Sequence, residues 1–296
     1  ADGGFGIAPK LLVPGLTEYA SLRAARQVPA LSEHAHTTVR AVIDGPLWDD
    51  RHGGMHRLAA APEWGAIQYE KLLDRNAALI RELRFSLREP EDPQSRRALE
   101  ATARFVLDVL ARPGGGFYLA QAADPMSEDG GGWWRGETPV DDVPPNDRLV
   151  LSGPNAEAGA ALLRAGALAG NERWTRAGRE ALDLVLATAV RSGAGVRHVI
   201  EPRPAEHRFL VTQSEVAFAL LDAYESTGER RYLDGARAIA DFTIANLLDS
   251  GETAFRDRLA GVEEIGLLAN PRRPLRENAR MARVLLRLAI HGEGEM

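Results

Sequence analysis

Two adjacent tryptophans and a set of loop acids are the residues of this sequence whose types best suit carbohydrate chemistry. Trp133 and Trp134 stand in the run GGGWWRG, and the flat face of an indole suits the apolar side of a pyranose ring. Hydrolysis of a glycosidic bond uses two carboxyl groups, one protonated and one ionised. The loop acids that could supply them are Asp49, Asp50, Glu70, Asp124, Glu128, Asp141 and Asp142.

The same residues fit other roles. Adjacent tryptophans flanked by glycine can equally anchor a partner protein, or can simply fill a core. Each loop acid can also serve as a helix cap or as a solvated surface group. The residue types therefore leave sugar binding, partner binding and packing open.

Histidines offer a second chemistry, because sugar epimerisation needs bases that transfer protons. His52 and His56 lie in one loop, and His198 and His207 flank a short extended segment. A single histidine is more often a surface or hydrogen-bonded residue than a base.

The sequence predicts no cofactor and no metal site. The pairs His34-x-His36 and His52-x3-His56 offer nitrogen donors, but no third and fourth ligands follow at a useful spacing. The glycines at 114–116 lack the lysine and the strand context of a phosphate-binding loop.

Composition excludes several classes of protein. With 296 residues, 45% hydrophobic and 26% charged, the chain can bury a substantial core, as one large domain or as two smaller ones. The formal net charge of -6 argues against nucleic acid as a partner. Cysteine is absent, which excludes disulfides and thiolate-bound zinc. No apolar run approaches the roughly 20 residues of a transmembrane helix.

Apolar residues recur at helical spacing along most of the chain, which predicts an all-α fold. The region 112–154 lacks this periodicity and is predicted to be irregular. Two short segments, 197–200 and 208–211, are predicted to pair as a β-hairpin. The predicted helices are 16–27, 31–43, a long helix that starts at 68–71, 94–110, 155–169, 172–191, 212–227, 231–248 and 276–291.

An internal repeat indicates that these helices form stacked pairs. GNERWTRAGREAL at 170–182 aligns without gaps with GERRYLDGARAIA at 228–240, so that Trp174 matches Tyr232. In each copy a helix ends at glycine and an aromatic residue opens the next helix. Such a period is typical of αα-hairpins.

Five motifs in order resemble a known family. They are GGFGIAPK (3–10), GGMHR (53–57), EKLL (70–73), GGFYLAQAAD (115–124) and RLVLSGPNAEAGAALLRAG (148–166). These segments resemble the α/α-toroid, or six-hairpin glycosidase-like, region of thioredoxin-domain-containing proteins of the YyaL and spermatogenesis-associated protein 20 type (DUF255). The resemblance covers nearly the whole chain and implies a single domain over residues 1–296. That domain would be an incomplete (α/α)6-type toroid of antiparallel hairpins with long loops on one face. The thioredoxin domain expected upstream in that family is absent from the sequence.

Departures from the family motifs shape the functional hypothesis. Polar or aromatic motif positions are occupied by Gln68, Asp74, Arg75, Ala122 and Pro154. This pattern favours a non-catalytic accessory or structural subunit that docks on a protein partner in a larger assembly.

The alternative is a carbohydrate-active enzyme, either a glycoside hydrolase or an epimerase-like enzyme with a sugar ligand in the central cavity. In that case the catalytic residues implied by the retained motifs are Glu70, Asp124 and His56. The substrate-binding residues would be Trp133, Trp134, Gln121, Arg57 and Asn155.

Overall fold

The computed structural model is mostly helical, with short strands between the helices. It describes residues 3–13, 15–17, 19–20, 29–87, 92–203, 207–249, 251, 253–259, 266 and 270–292. The predicted helix at 16–27 therefore lies largely outside the described residues.

The helices match most of the predicted segments to within a few residues. Their bounds are α1 Pro29–Ile43, α2 Leu73–Leu83, α3 Pro93–Asp108, α4 Gly132–Arg135, α5 Ser152–Ala169, α6 Glu172–Thr188, α7 Leu210–Thr227, α8 Arg230–Leu247 and α9 Leu275–Gly292. A 3-10 turn, Arg84–Leu87, follows α2.

Very short antiparallel strands hold the connecting loops. They are β1 Leu58–Ala59, β2 Ile67–Gln68, β3 Lys71–Leu72, β4 Ala120–Gln121, β5 Asn146–Asp147, β6 Val150–Leu151, β7 Val190–Arg191, β8 Gly195–Val196 and β9 Val199–Glu201. β3, β4 and β5 form one three-stranded sheet, in which Lys71 lies opposite Gln121. This sheet fixes the backbone of the segment that precedes α2.

The chain divides into two compact units, residues 1–148 with 165–175, and residues 149–164 with 176–296. In the first unit α2 packs on α3. Leu79 and Ile80 of α2 and Leu99 and Val106 of α3 are completely buried there. This core supports the loops that carry the candidate site.

In the second unit α7 packs against both α8 and α9. The turn between α7 and α8 begins at Gly228, whose φ of 71° is a left-handed conformation that glycine adopts without strain. Asp222 of α7 is almost fully buried and binds Arg164 at 3.0 Å and Arg287 of α9 at 2.8 Å. The repeat therefore forms a helical hairpin, as its sequence predicts.

Two local predictions are wrong. The residues from Gln68 to Lys71 do not begin a helix, because Gln68 lies in β2 and Lys71 in β3, and α2 begins at Leu73. The hairpin predicted between 197–200 and 208–211 is also absent from the described residues. β9 pairs with β6 instead, and α7 already begins at Leu210.

Candidate active site

The candidate site is built on residues 47–56, here called the Asp49 loop. The loop folds back on itself, because the Gly53 N–H donates to the Asp49 carbonyl at 3.0 Å. Asn76 of α2 fastens the far end, where it accepts from the Met55 N–H at 2.7 Å and donates to the Met55 carbonyl at 3.1 Å. The loop is therefore anchored directly to the core helix α2.

A buried ion pair lies beneath this loop. Lys71 has no exposed surface, and its Nζ lies 2.6 Å from Asp49 Oδ2 and 2.6 Å from the Gly53 carbonyl oxygen. The ammonium also lies 5.0 Å from the ring centroid of Phe105 and 5.7 Å from that of Trp134. Burial lowers the pKa of Lys71 to about 8, although Asp49 acts in the opposite direction.

Asp49 connects the buried lysine to an exposed histidine. Its Oδ1 accepts the backbone N–H groups of Arg51 and His52 at 3.0 and 3.1 Å, and its Oδ2 lies 3.1 Å from His52 Nδ1. Burial alone would raise the pKa of Asp49, but the charge and hydrogen bond of Lys71 outweigh burial and lower it. The carboxyl is therefore ionised at neutral pH and can only accept hydrogen bonds.

His52 is held by that carboxylate and remains open to solvent. Since the carboxylate only accepts, Nδ1 of His52 carries the hydrogen and Nε2 keeps its lone pair in the neutral ring. The side chain is 32% exposed, and its ring lies 4.3 Å from the ring of Trp133. The site thus presents an imidazole nitrogen beside a partly exposed indole.

Trp133 is presented by a rigid loop, residues 122–139, here called the platform loop. Asp124 organises it: its carboxylate accepts from the N–H groups of Met126 and Trp133 and from the Thr138 hydroxyl, all within 2.8 Å. These hydrogen bonds, first of all the one from the Thr138 hydroxyl, lower the pKa of Asp124. An ionised carboxylate with three donors positions the loop rather than exchanging protons.

A second network ties the platform loop to the strand segment before α2. Arg135 binds Asp129 at 2.8 Å and Glu137 at 2.7 Å, and donates to the Tyr69 hydroxyl at 3.0 Å. A Cβ at Gly131 would stand 2.2 Å from Arg135 and 2.4 Å from the Tyr69 ring, so only glycine fits there. Arg135 therefore binds two acids of the platform loop and also joins this loop to Tyr69.

His56 lies inside the site as a neutral, enclosed ring. It is 3% exposed, its Nδ1 donates to the Tyr69 carbonyl at 2.9 Å, and its ring meets that of Trp134 edge-on at 5.3 Å. Burial, followed by the charge of Lys71, lowers the pKa of His56 to about 3.

This lowered pKa predicts acid sensitivity. The unfolded chain, with a His56 pKa near 6.5, binds a proton between pH 6.5 and about 3 that the folded chain does not bind. Stability is therefore complete above pH 6.5 and falls as the pH decreases, by about 2 kcal/mol at pH 5. Urea unfolding at pH 7.5 and pH 5 should show a smaller loss for His56→Gln than for the wild type. His36→Gln, on the exposed face of α1, should leave the loss unchanged.

The other predicted site residues lie in different surroundings. Glu70 and Arg57 form a half-exposed pair at 3.7 Å. Gln121 is buried and donates to the Pro144 carbonyl at 3.3 Å. Asn155 is buried in the second unit. Of the predicted site residues, Trp133, Trp134, Asp124 and His56 therefore belong to the cluster around the Asp49 loop.

Sequence reasoning missed the role of Lys71. The long helix was predicted to start at 68–71, with Lys71 pointing from the helix start into the space above it, whereas Lys71 lies in β3 and is completely buried. The Asp49-x-x-His52 spacing carried a usable signal, because an aspartate in a loop often accepts N–H groups two and three residues ahead.

In the part of the chain that the structure describes, no three histidines, aspartates or glutamates are grouped to hold a metal ion. No described helix is both long and apolar enough to cross a membrane.

No protein family model and no curated protein matches this sequence. Solved structures do match. An unsaturated glucuronyl hydrolase specific for heparin shares 13% identity and a TM-score of 0.66 over 93% of this chain and 72% of that chain. An unsaturated glucuronyl hydrolase from Bacillus sp. GL1, responsible for glycosaminoglycan degradation, shares 18% identity and a TM-score of 0.63 over 93% and 74%. A family 76 glycoside hydrolase (mannosidase) from Bacteroides thetaiotaomicron shares 13% identity and a TM-score of 0.59 over 93% of this chain and 68% of that chain.

These neighbours confirm the predicted fold class, an all-α toroid of helical hairpins. At such identities the likeness concerns the fold alone.

Proposed function

We propose that this protein is a carbohydrate-active enzyme whose proton-transferring residue is His52. The observation that carries the proposal is the contact between His52, oriented by a buried aspartate, and the partly exposed ring of Trp133. The fold neighbours with glycoside hydrolase activity support the same class. This is the alternative from the sequence analysis, and it now takes precedence over the non-catalytic subunit.

Trp133 supplies the sugar-binding surface in this proposal. The apolar face of a pyranose packs on the open part of the indole, and hydroxyl groups of the sugar reach the polar rim of the platform loop. Because Asp124 and Arg135 hold the loop on both sides, the indole is positioned before the sugar arrives. Such preorganisation lowers the entropic cost of binding.

His52 takes the proton-transfer role because the carboxyl groups near Trp133 are poorly suited to it. A carboxyl group that exchanges protons near neutral pH needs a raised pKa, whereas hydrogen bonds and ion pairs lower the pKa values of Asp49, Asp124 and Glu137. In hydrolysis the lone pair on Nε2 of His52 would take the proton of the attacking water. In epimerisation the same atom would remove the proton from the carbon beside a carbonyl group, and a proton returned to the opposite face would complete the inversion.

Catalytic roles for Glu70, Asp124 and His56 stay predictions. In this proposal the three residues support the site, and His52 transfers the proton. Asp124 positions the platform loop, His56 packs beneath it, and Glu70 stands at the rim with Arg57. The resemblance to the YyaL-type toroid region and the single domain over 1–296 are retained as part of the proposal.

A panel of oligosaccharides tests the proposal. Hydrolysis creates new reducing ends and adds the mass of water, whereas epimerisation leaves the mass unchanged, so mass spectrometry and NMR separate the two reactions. We expect at least one oligosaccharide to be converted, and Trp133→Ala to raise its KM about fivefold or more, because a lost stacking contact is worth about 1 kcal/mol or more. His36→Gln serves as the matched control and should leave KM unchanged.

A binding subunit remains the second candidate, favoured by one observation. Leu286 and Ile290, one turn apart on α9, are 66% and 68% exposed, and such apolar positions suit a protein partner. A panel that shows neither conversion nor binding of any sugar would favour this candidate.

A further inference from the structure

Lys71 and His52 share one oxygen atom of Asp49. Oδ2 lies 2.6 Å from Lys71 Nζ and 3.1 Å from His52 Nδ1. A charge on the buried lysine therefore acts on the exposed histidine through a single carboxylate, although Lys71 itself has no surface that a substrate could reach.

We infer that Lys71 is a positioning residue of the proposed site, acting through Asp49 to hold His52 in the tautomer that has its hydrogen on Nδ1 and its lone pair on Nε2. The inference rests on the proposed function. It goes beyond that function by assigning a role to a buried residue that touches neither the sugar nor the reacting atoms.

The surroundings of Lys71 explain why its charge has this effect. In the described part of the chain, three titratable side chains interact electrostatically with Lys71 or with its partner Asp49. They are Asp49 itself, His52 and His56, and Asp49 is the acid among them. Its remaining neighbours are the uncharged rings of Phe105 and Trp134 and the Gly53 carbonyl. The lysine therefore supplies the positive charge that balances Asp49.

Removing that charge changes where the proton of the Asp49–His52 pair resides. A buried carboxylate without a counter-ion holds a proton more tightly, either on itself or on the histidine bound to it. If the carboxyl is protonated, it donates to Nδ1 and the hydrogen of the ring moves to Nε2. If the histidine is protonated, Nε2 also carries a hydrogen. In both cases Nε2 loses its lone pair.

The experiment is nitrogen NMR of the full chain at pH 7, with His52 assigned by the loss of its signals in His52→Gln. We expect Nε2 of His52 to be unprotonated in the wild type and in Lys71→Arg, and protonated in Lys71→Met. On a converted oligosaccharide, kcat at pH 7 should fall about tenfold or more in Lys71→Met, because Nε2 no longer offers a lone pair. KM should stay within about twofold, since Lys71 does not touch the sugar. An unprotonated Nε2 in folded Lys71→Met would overturn the inference.

The wild type provides a second measurement that does not depend on the folding of Lys71→Met. Between pH 7 and 9.5 the ring signals of His52 should show an additional inflection where Lys71 loses its proton, near pH 8. The same inflection should be absent in Asp49→Asn, which lacks the connecting carboxylate. A wild-type protein without it would contradict the inference even if sugars are converted. A protein that shows it but converts no sugar would contradict the proposed function instead.

Discussion

Asp49→Ala should lower the free energy of unfolding by about 3–5 kcal/mol at pH 6.5, the cost of leaving a buried charge without its partner. Asp49 provides the only acidic side chain within 4 Å of Lys71 in the described part of the chain. Its removal also releases the N–H groups of Arg51 and His52 that shape the loop. Urea unfolding followed by fluorescence measures the difference.

The loss of unfolding free energy in Asp49→Ala should be smaller at pH 9 than at pH 6.5. Without Asp49 the pKa of Lys71 falls further, because burial is its largest determinant and acts to lower it. The unfolded chain then binds more protons than the folded chain over the range between the two pKa values, so stability rises with pH there. An Asp49→Ala loss that is equal at pH 6.5 and pH 9 would contradict the assignment of a buried, charged lysine.

Asp50→Ala is the matched control for this variant. Asp50 is the next residue in the same loop, is exposed, and has no hydrogen bond or ion pair among the described residues. Its substitution should change the free energy of unfolding by no more than about 0.5 kcal/mol. The double variant Asp49→Ala with Lys71→Met should recover part of the loss, because it removes the orphaned charge.

His52→Gln should lower kcat for a converted oligosaccharide by roughly 10²- to 10⁴-fold, the usual contribution of a positioned acid or base. KM should change little, because Trp133 and the platform loop remain. The variant should also fold normally, since His52 is exposed and fastened to the protein mainly by its hydrogen bond to Asp49. Steady-state kinetics measures both constants.

Glu70→Gln separates this proposal from the earlier hypothesis based on the family motifs. If Glu70 were the general acid, its variant rather than His52→Gln would show the large loss of kcat. Retention of most activity by His52→Gln, together with a collapse in Glu70→Gln, would transfer the proton-transfer role to the glutamate.

The sequence predicted the helices well because their signals are local. The helical spacing of Leu79, Ile80 and Leu83 marks one buried face of α2, and all three are buried. The glycine at 228, followed by an aromatic residue, marks the turn between α7 and α8, and the structure places the turn there. The toroid fold class followed from such hairpins together with the motif resemblance.

The candidate site was predicted only in part because it depends on contacts between distant segments. Trp133 and His56 were identified from their types and motifs, but the pairing of Lys71 with Asp49 spans 22 residues and depends on the register of β3 with β4. Two-residue strands carry no periodicity, so Lys71 was assigned to a helix start. The prediction of a hairpin between 197–200 and 208–211 was wrong for the same reason, because β9 pairs with the distant β6.

The most direct test of the central claim is an NMR titration of the nitrogen-labelled protein with a converted oligosaccharide. The chain has five tryptophans, and the account predicts that the indole signal of Trp133 and the ring signals of His52 shift together. The indole signals of the buried Trp64 and Trp174 should stay in place. An oligosaccharide that is converted while Trp133 and His52 remain unshifted would contradict the account.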